Sequence, residues 1–278
     1  MTDPKYAVKH PGIGRYYHLP TGEQLVSITN VLDTCVSKPA LPPSAAKYTA
    51  AKAWELLPQM VAASRKPKRR EELNREIKGH YRHLWEKARE LGTRTHVIAE
   101  ARVLGKPFAE DPEAEPLADQ VLRFFEDFGV DYETDVEATE ATVINRTHGY
   151  AGTGDLWLWL RWPGEKRRQL TLLDYKTSQS RPVESVYPEM GMQVAALVNG
   201  ERLLLDDGTE VDPPGPVERT AILNLRKSSY ALMEMPLVGT IDDAFAGFVS
   251  LIPGALYLHS AYGAKPLPIT KPRLKAVS

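Results

Sequence analysis

Apolar positions recur with a helical period through the first half of the chain and in strand-like runs through the second. Leu117, Val121, Phe124 and Phe128 fall at i, i+4, i+7 and i+11, and Val97, Ala101 and Leu104 at i, i+4 and i+7. Each set makes one stripe on a helix. The pattern predicts one helix after Pro116 and another from Gly92-Thr93 to just before Gly105-Lys106-Pro107. Upstream, Ser44 is placed to cap a helix over 45–57. A long helical segment runs from the basic connector Lys66-Pro67-Lys68-Arg69-Arg70 to Leu91, with an interruption at Gly79. Residues 1–24, rich in Gly, Pro and Tyr, read as an irregular arm or a short hairpin, and 25–32 as a short strand or the first turn of a helix.

The pattern changes near Tyr132. Residues 136–144 are rich in β-branched side chains and have the length of a strand. Leu156-Trp157-Leu158-Trp159-Leu160 is apolar at every position, as in a strand covered on both faces. Pro163 and Gly164 suit a turn, and Leu170 to Tyr175 makes the next strand. Pro188 can open a helix to about Val198. Residues 206–216 punctuate a loop or hairpin, 221–225 and 230–235 pair antiparallel, and Thr240-x-x-Asp243 opens a last helix with a capping box. This order predicts an α+β chain with a central mixed sheet flanked by helices, α/β/α if both faces are covered.

With 278 residues and 42% apolar content, the chain can bury a real core. A single domain over 1–278 is expected: 42–130 mainly helical, 132–260 the sheet core, 263–278 a loose basic tail. The formal net charge of −1 conceals a polarised sequence. Between Ser64 and Arg94 there are eleven Lys/Arg against five Glu; between Glu110 and Glu140, twelve Asp/Glu against one Arg. Such asymmetry permits a basic surface for nucleic acid, although two solvated helix faces of opposite sign satisfy it equally. Cys35 is the single cysteine, which excludes intrachain disulfides, cysteine-ligated zinc and four-cysteine iron–sulfur clusters. The N-terminus has no apolar signal core and no run is read as a membrane span, so a soluble, cytoplasmic protein is expected.

The candidate chemistry lies between Gly152 and Gln193. Asp174-Tyr175-Lys176 ends an apolar strand, where two charges need a reason. A four-residue turn over 163–166 would set Asp155 opposite Asp174, with Cβ atoms roughly 4.5–5.5 Å apart. Lys176, two residues on, would share their face. Two opposed carboxylates suit a shared divalent cation, and magnesium suits carboxylate and phosphate oxygens. Lys176 could then steady negative charge in a transition state or, with a depressed pKa, move a proton. His96 and Glu100 share a helix face at i, i+4, which by spacing alone is an ordinary surface pair. Glu140 reads as a third acid or an exposed strand residue, and Gln193 as a site residue or a polar helix edge. Gly149 to Gly154 precedes a strand, so it is neither a Walker loop nor a dinucleotide fingerprint. No Gly-x-Ser-x-Gly elbow is present.

Taken together, His96 in GTRTHVIAE, Asp155 in GYAGTGD, Asp174-Tyr175-Lys176 in LLDYKTS and Gln193 in GMQVAAL resemble the ordered motifs of RecB-type nucleases of the P-D-(D/E)-x-K superfamily. The size is similar to that of the compact phage forms. The match spans about 90 to 200. The resemblance implies a restriction-endonuclease-like core and metal-dependent hydrolysis of DNA, linear duplex or single strand. His96, Asp155, Asp174 and the Tyr175 carbonyl would hold one or two Mg2+ or Mn2+ ions; Asp155, Asp174, Lys176 and Gln193 would form the catalytic set. Glu100 and Glu140 are additional acids. Lys66, Lys68, Arg69, Arg70, Arg75, Lys78 and Arg82 would line a DNA channel. Where the family often has a tyrosine four residues after the glutamine, this chain has Leu197, and the cluster-forming cysteines of several relatives are missing. The reading is an exonuclease of recombination or repair, acting with a recombination partner protein. Its alternatives are an endonuclease of the same superfamily and a DNA-binding module with an unused site.

Overall fold

A mixed ten-stranded sheet with helices on both faces forms the centre of the computed structural model, which describes residues 4–265. The middle strand is β5 (Tyr150–Leu160), antiparallel along one edge to β4 (Val136–Asn145). The other edge of β5 is shared. β3 (Gln24–Ser27) pairs in parallel with Tyr150 and Ala151, and β6 (Gln169–Thr177) pairs antiparallel from Leu156 to Leu160. β1 (Ala7–His10) and β2 (Gly14–His18) extend the β3 side as a hairpin, so the N-terminal arm is part of the sheet. β7 (Arg202–Leu204) and β8 (Glu210–Val211) extend the β4 side. Beyond β6 come β9 (Arg219–Leu225), parallel to it, and β10 (Tyr230–Met235), antiparallel to β9.

The alternation of side chains sorts the core into two layers. Leu156, Leu158, Leu160, Leu173, Tyr175 and Leu223 pack with Leu91, Ile98, Leu117, Val121 and Phe124. These come from α4 (Pro67–Val103) and α5 (Glu115–Phe128). Trp157, Leu172 and Ile222 pack the opposite way, with residues of α1 (Ile28–Cys35), α7 (Pro188–Val198) and α8 (Ile241–Ser260). The apolar run 156–160 is therefore covered on both faces, as its composition requires. Each large side chain fully buried in these layers contributes about 1.5–3 kcal/mol of transfer free energy.

Several boundaries differ from the sequence reading, each for a local reason. α2 (Leu41–Glu55) starts before Ser44, because Pro42 and Pro43 sit in its first turn, where no backbone donor is needed. α3 (Leu57–Ala62) then leads to α4, a single 37-residue helix through both Gly79 and Gly92. One glycine costs a helix only about 1 kcal/mol, less than the packing on either side returns. Residues 24–32, read as strand or helix, are both: Ser27 ends β3 and its hydroxyl caps α1 by accepting from Asn30 N at 3.1 Å. The β5–β6 ladder has the expected register but stops at Leu160↔Gln169, so the connection is an eight-residue loop instead of a four-residue turn. Residues 150–154, which the sequence places ahead of the apolar strand, already belong to β5. A short α6 (Tyr132–Asp135) precedes β4. The Thr240–Asp243 capping box is present.

Contrary to the expectation that no segment resembles a membrane span, α8 is long and apolar enough to pass that test, with mean hydropathy 1.3 over its 18-residue window. Within the fold, α8 supplies Phe248, Ile252 and Ala255 to the core. The basic tail expected over 263–278 lies almost wholly outside the described residues.

Candidate active site

β3 and β6 occupy different stretches of one β5 edge, and the gap between them falls at residues 152–155. Asp155 sits at its β6 side. The ladder with β6 ends at Leu156↔Leu173, and the next amide, Tyr175 N–H, donates to Asp155 Oδ2 at 2.5 Å. A side-chain carboxylate thus replaces a strand carbonyl, which satisfies the amide while the sheet opens. Gly154 makes room for this turn of events: a Cβ there would lie 2.3 Å from the Trp157 ring.

Register places three acids in a row. Thr139↔Leu156 and Ala141↔Gly154 flank Glu140 and Asp155, and continuing the Leu156↔Leu173 register sets Asp174 across from Asp155. Glu140 has φ +45°, the one positive φ among the described non-glycine residues. A side chain in that region is strained, and such strain persists only where surrounding contacts impose it. Here the contact is His96, whose Nδ1 lies 3.2 Å from Asp155 Oδ1 and 3.4 Å from Glu140 Oε1. The ligand atoms of His96, Glu140 and Asp155 all fall within 4.8 Å of one another, the spacing of groups that could hold one cation.

Asp174 is placed differently. Its Oδ1 accepts from Gln193 Nε2 at 2.7 Å, and its Oδ2 contacts the Lys176 ammonium. That second oxygen is buried and makes no well-directed hydrogen bond, so the ion pair is one of proximity. His96 comes from the α4 layer and Gln193 from the α7 layer, and they meet the acid row from opposite sides of the opened sheet. Asp155 and Asp174 are each 2% exposed, whereas the Lys176 side chain keeps 30% of its surface.

The charges are strongly coupled. Burial opposes a charged His96, but Asp155 and then Glu140 outweigh it and push the imidazole up to about 10. Burial alone would raise Asp155; the facing His96, then Lys176 and the Tyr175 amide, hold it below its ordinary value. Asp174 is raised, by burial and then by Asp155 against the pull of Lys176. Glu140 is raised by burial, with Asp155 adding to it against His96. Lys176 is disfavoured as an ion by burial, yet Asp174 and Asp155 carry it above its ordinary value. This is the opposite direction from the depressed pKa that proton transfer by Lys176 would use.

The expected residues fall into three groups. His96, Asp155, Asp174, Lys176 and Gln193 converge, and Glu140 joins them as a cluster member. Tyr175 enters through its N–H, while its ring packs edge-on to His96, centroids 5.5 Å apart. Glu100, one turn beyond His96, is outside the His96–Glu140–Asp155 group. Leu197 is core, facing Gly152. Of the basic residues, Arg75, Lys78 and Arg82 line one groove on α4 with Glu71, Asn74 and Gly79. Arg69 is held by Glu72 and Gln59; Lys66, Lys68 and Arg70 are exposed at the start of α4. Arg89, not among the expected residues, continues the series Lys68, Arg75, Arg82 at seven-residue intervals toward His96. No protein-family model matches the chain, and no curated protein is significantly similar to it.

Proposed function

We propose that this chain is a Mg2+- or Mn2+-dependent deoxyribonuclease of the RecB type, an exonuclease acting on DNA in recombination or repair, in the cytoplasm (the host's for a phage-encoded form). The observation that carries the reading is the row of half-buried Glu140 with buried Asp155 and Asp174, met by His96 on one side and by Lys176 and Gln193 on the other. The donor set fits a hard divalent ion: carboxylate oxygens with one imidazole nitrogen. His96, Glu140 and Asp155 would hold it, and Asp174 would join on giving up Lys176. When bound, such an ion supplies Lewis-acid polarisation of a phosphate and a more acidic water.

The chain's own groups do the remainder. Gln193 fixes the Asp174 carboxylate, and the Tyr175 amide fixes Asp155. Lys176, held positive and reaching the surface of the cleft, steadies charge building on the phosphate oxygens.

The test compares wild type with Lys176→Ala on linear and covalently closed circular DNA, with Mg2+ or Mn2+ and with chelator. Wild type should degrade linear DNA in a metal-dependent way. Losing this one charge-stabilising group should slow turnover by roughly 100- to 1,000-fold. Equal rates for the two proteins would overturn the mechanism. Prompt cutting of circles would replace exonuclease with endonuclease, and binding without cleavage in either metal would leave only a DNA-binding module.

A further inference from the structure

Lys68, Arg75, Arg82 and Arg89 occur at seven-residue intervals along α4, and the next position in the series is His96. Seven residues fall about 20° short of two full helical turns, so the series drifts only about 80° from Lys68 to His96. Lys78, between two of them, lies on the same side. The buried residues Leu73, Ile77 and Leu91 lie opposite, which makes the cationic face the solvent face of the N-terminal half. In the C-terminal half that same face carries His96 onto the acid row. Arg75, Lys78 and Arg82 line a groove, with Glu71 its one acidic lining residue. Among the described residues, Lys68, Arg75 and Lys78 make no ion pair; Arg89 pairs with exposed Glu86. Tyr81 and Trp85 flank the row as an edge-on aromatic pair, centroids 4.9 Å apart, and the Arg82 guanidinium lies over the Tyr81 ring at 5.6 Å.

We infer that this face of α4 is a track for one single nucleic-acid strand, leading from the far end of the helix to the acid cluster. This rests on the proposed nuclease reading and narrows its substrate to DNA with a single-stranded run. Cations in line, Arg89 alone of the series being paired with an acid among the described residues, fit a polyphosphate backbone, which releases counterions on binding. The row is one residue wide, so it follows one backbone, and the adjacent aromatic pair offers bases a stacking surface. From Lys68 to His96 is 28 residues, about 42 Å of helix, or about 12 nucleotides at the 3.4 Å spacing of one stacked strand. Lys66, Arg69 and Arg70 lie outside the track.

The experiment measures fluorescence anisotropy of a labelled single strand of about 20 nucleotides, longer than the track, and of its duplex, across a salt series with chelator present. The proteins are wild type, Arg75→Glu/Lys78→Glu/Arg82→Glu and Trp85→Ala. Wild type should bind the single strand more tightly than duplex. The triple variant should lose at least tenfold in affinity, with its log–log salt slope shallower by about 2. Trp85→Ala should lose much of the preference for single strands. Unchanged binding by a triple variant that melts normally would overturn the track, and equal or tighter duplex binding would overturn the single-strand assignment. Because no metal is present, these outcomes are independent of cleavage. Strand binding through this face by a protein that never cuts in Mg2+ or Mn2+ sinks the nuclease reading and leaves the track standing.

Discussion

At the scale of single residues, Glu140 is the most informative position. Its type and its place in a strand were legible, but its role was not, because a positive φ at a non-glycine residue leaves no trace in sequence. Asp155, Asp174 and Lys176 were legible because charges at the end of an apolar strand need a partner. His96 was not legible from spacing, since Glu100 four residues later makes an ordinary surface pair with it; only the resemblance of its motif singled it out. If Glu140 holds a strained backbone to place its carboxylate, the two effects separate by substitution. Glu140→Ala and Glu140→Gly both remove the carboxylate, and both should weaken Mn2+ binding at least tenfold by calorimetry. Only Gly relaxes the backbone. In chelator, Glu140→Gly should be the more stable of the two in urea unfolding, by up to about 1 kcal/mol once its larger unfolded-state entropy is subtracted. A Gly variant less stable than the Ala variant by its full entropy cost, about 0.5–1 kcal/mol, would mean that φ +45° carries no strain, and wild-type Mn2+ affinity in both would remove Glu140 from the ligand set.

Among the elements, α4 shows how a local signal can mislead. Gly79 and Gly92 both read as helix breaks, yet they serve different ends. At Gly79 a Cβ would meet nothing within 4 Å; at Gly92 it would lie 3.1 Å from Thr177 Oγ1, where the helix crosses β6 one turn before His96. Gly79→Ala should therefore stabilise the protein by about 0.5–1 kcal/mol, seen as a rise of about 1–4 °C in Tm. Gly92→Ala should gain little or lose stability, because the helix preference is offset by the close approach. A gain at 92 equal to that at 79 would show that α4 can move off the sheet freely. The other long helix, α8, is anchored near its end by His259, which lies 2.7 Å from Tyr16 Oη through Nδ1 and 2.9 Å from Thr34 Oγ1 through Nε2. A neutral imidazole can accept from Tyr16 and donate to Thr34 at once, and burial lowers its pKa from 6.5. As pH falls below about 6.5 the unfolded chain takes up the proton first. This contribution is therefore full above that pH and is lost as pH falls through the lowered folded value. His259→Gln should flatten the stability–pH profile in that window, and an unchanged slope would show that other groups set it.

The whole molecule divides its packing as it divides its charge. Helical and strand periods made the sheet and its flanking helices legible, and the β5–β6 register is the expected one although its connection is a longer loop than the turn assumed for it. The entry of residues 7–27 into the sheet was not legible, because three strands of four or five residues carry too little periodicity. Nor was the separate small core formed by Leu56, Ala63, Leu73 and Ile77, which joins α2 and α3 to the basic half of α4 away from the two sheet layers. A helix pair held by so few buried side chains should open locally, below the free energy of global unfolding. Leu73, 1% exposed, is the place to test this. Leu73→Ala should cost about 2–5 kcal/mol of local stability. Amide exchange should then rise over 41–85 while β5, β6 and α7 keep their protection. Mn2+ binding should persist, because every member of the acid cluster lies beyond that core, but strand binding should weaken as the basic face loses its support. Uniformly faster exchange across sheet and helices would instead mean that the basic helical half and the sheet unfold as one unit.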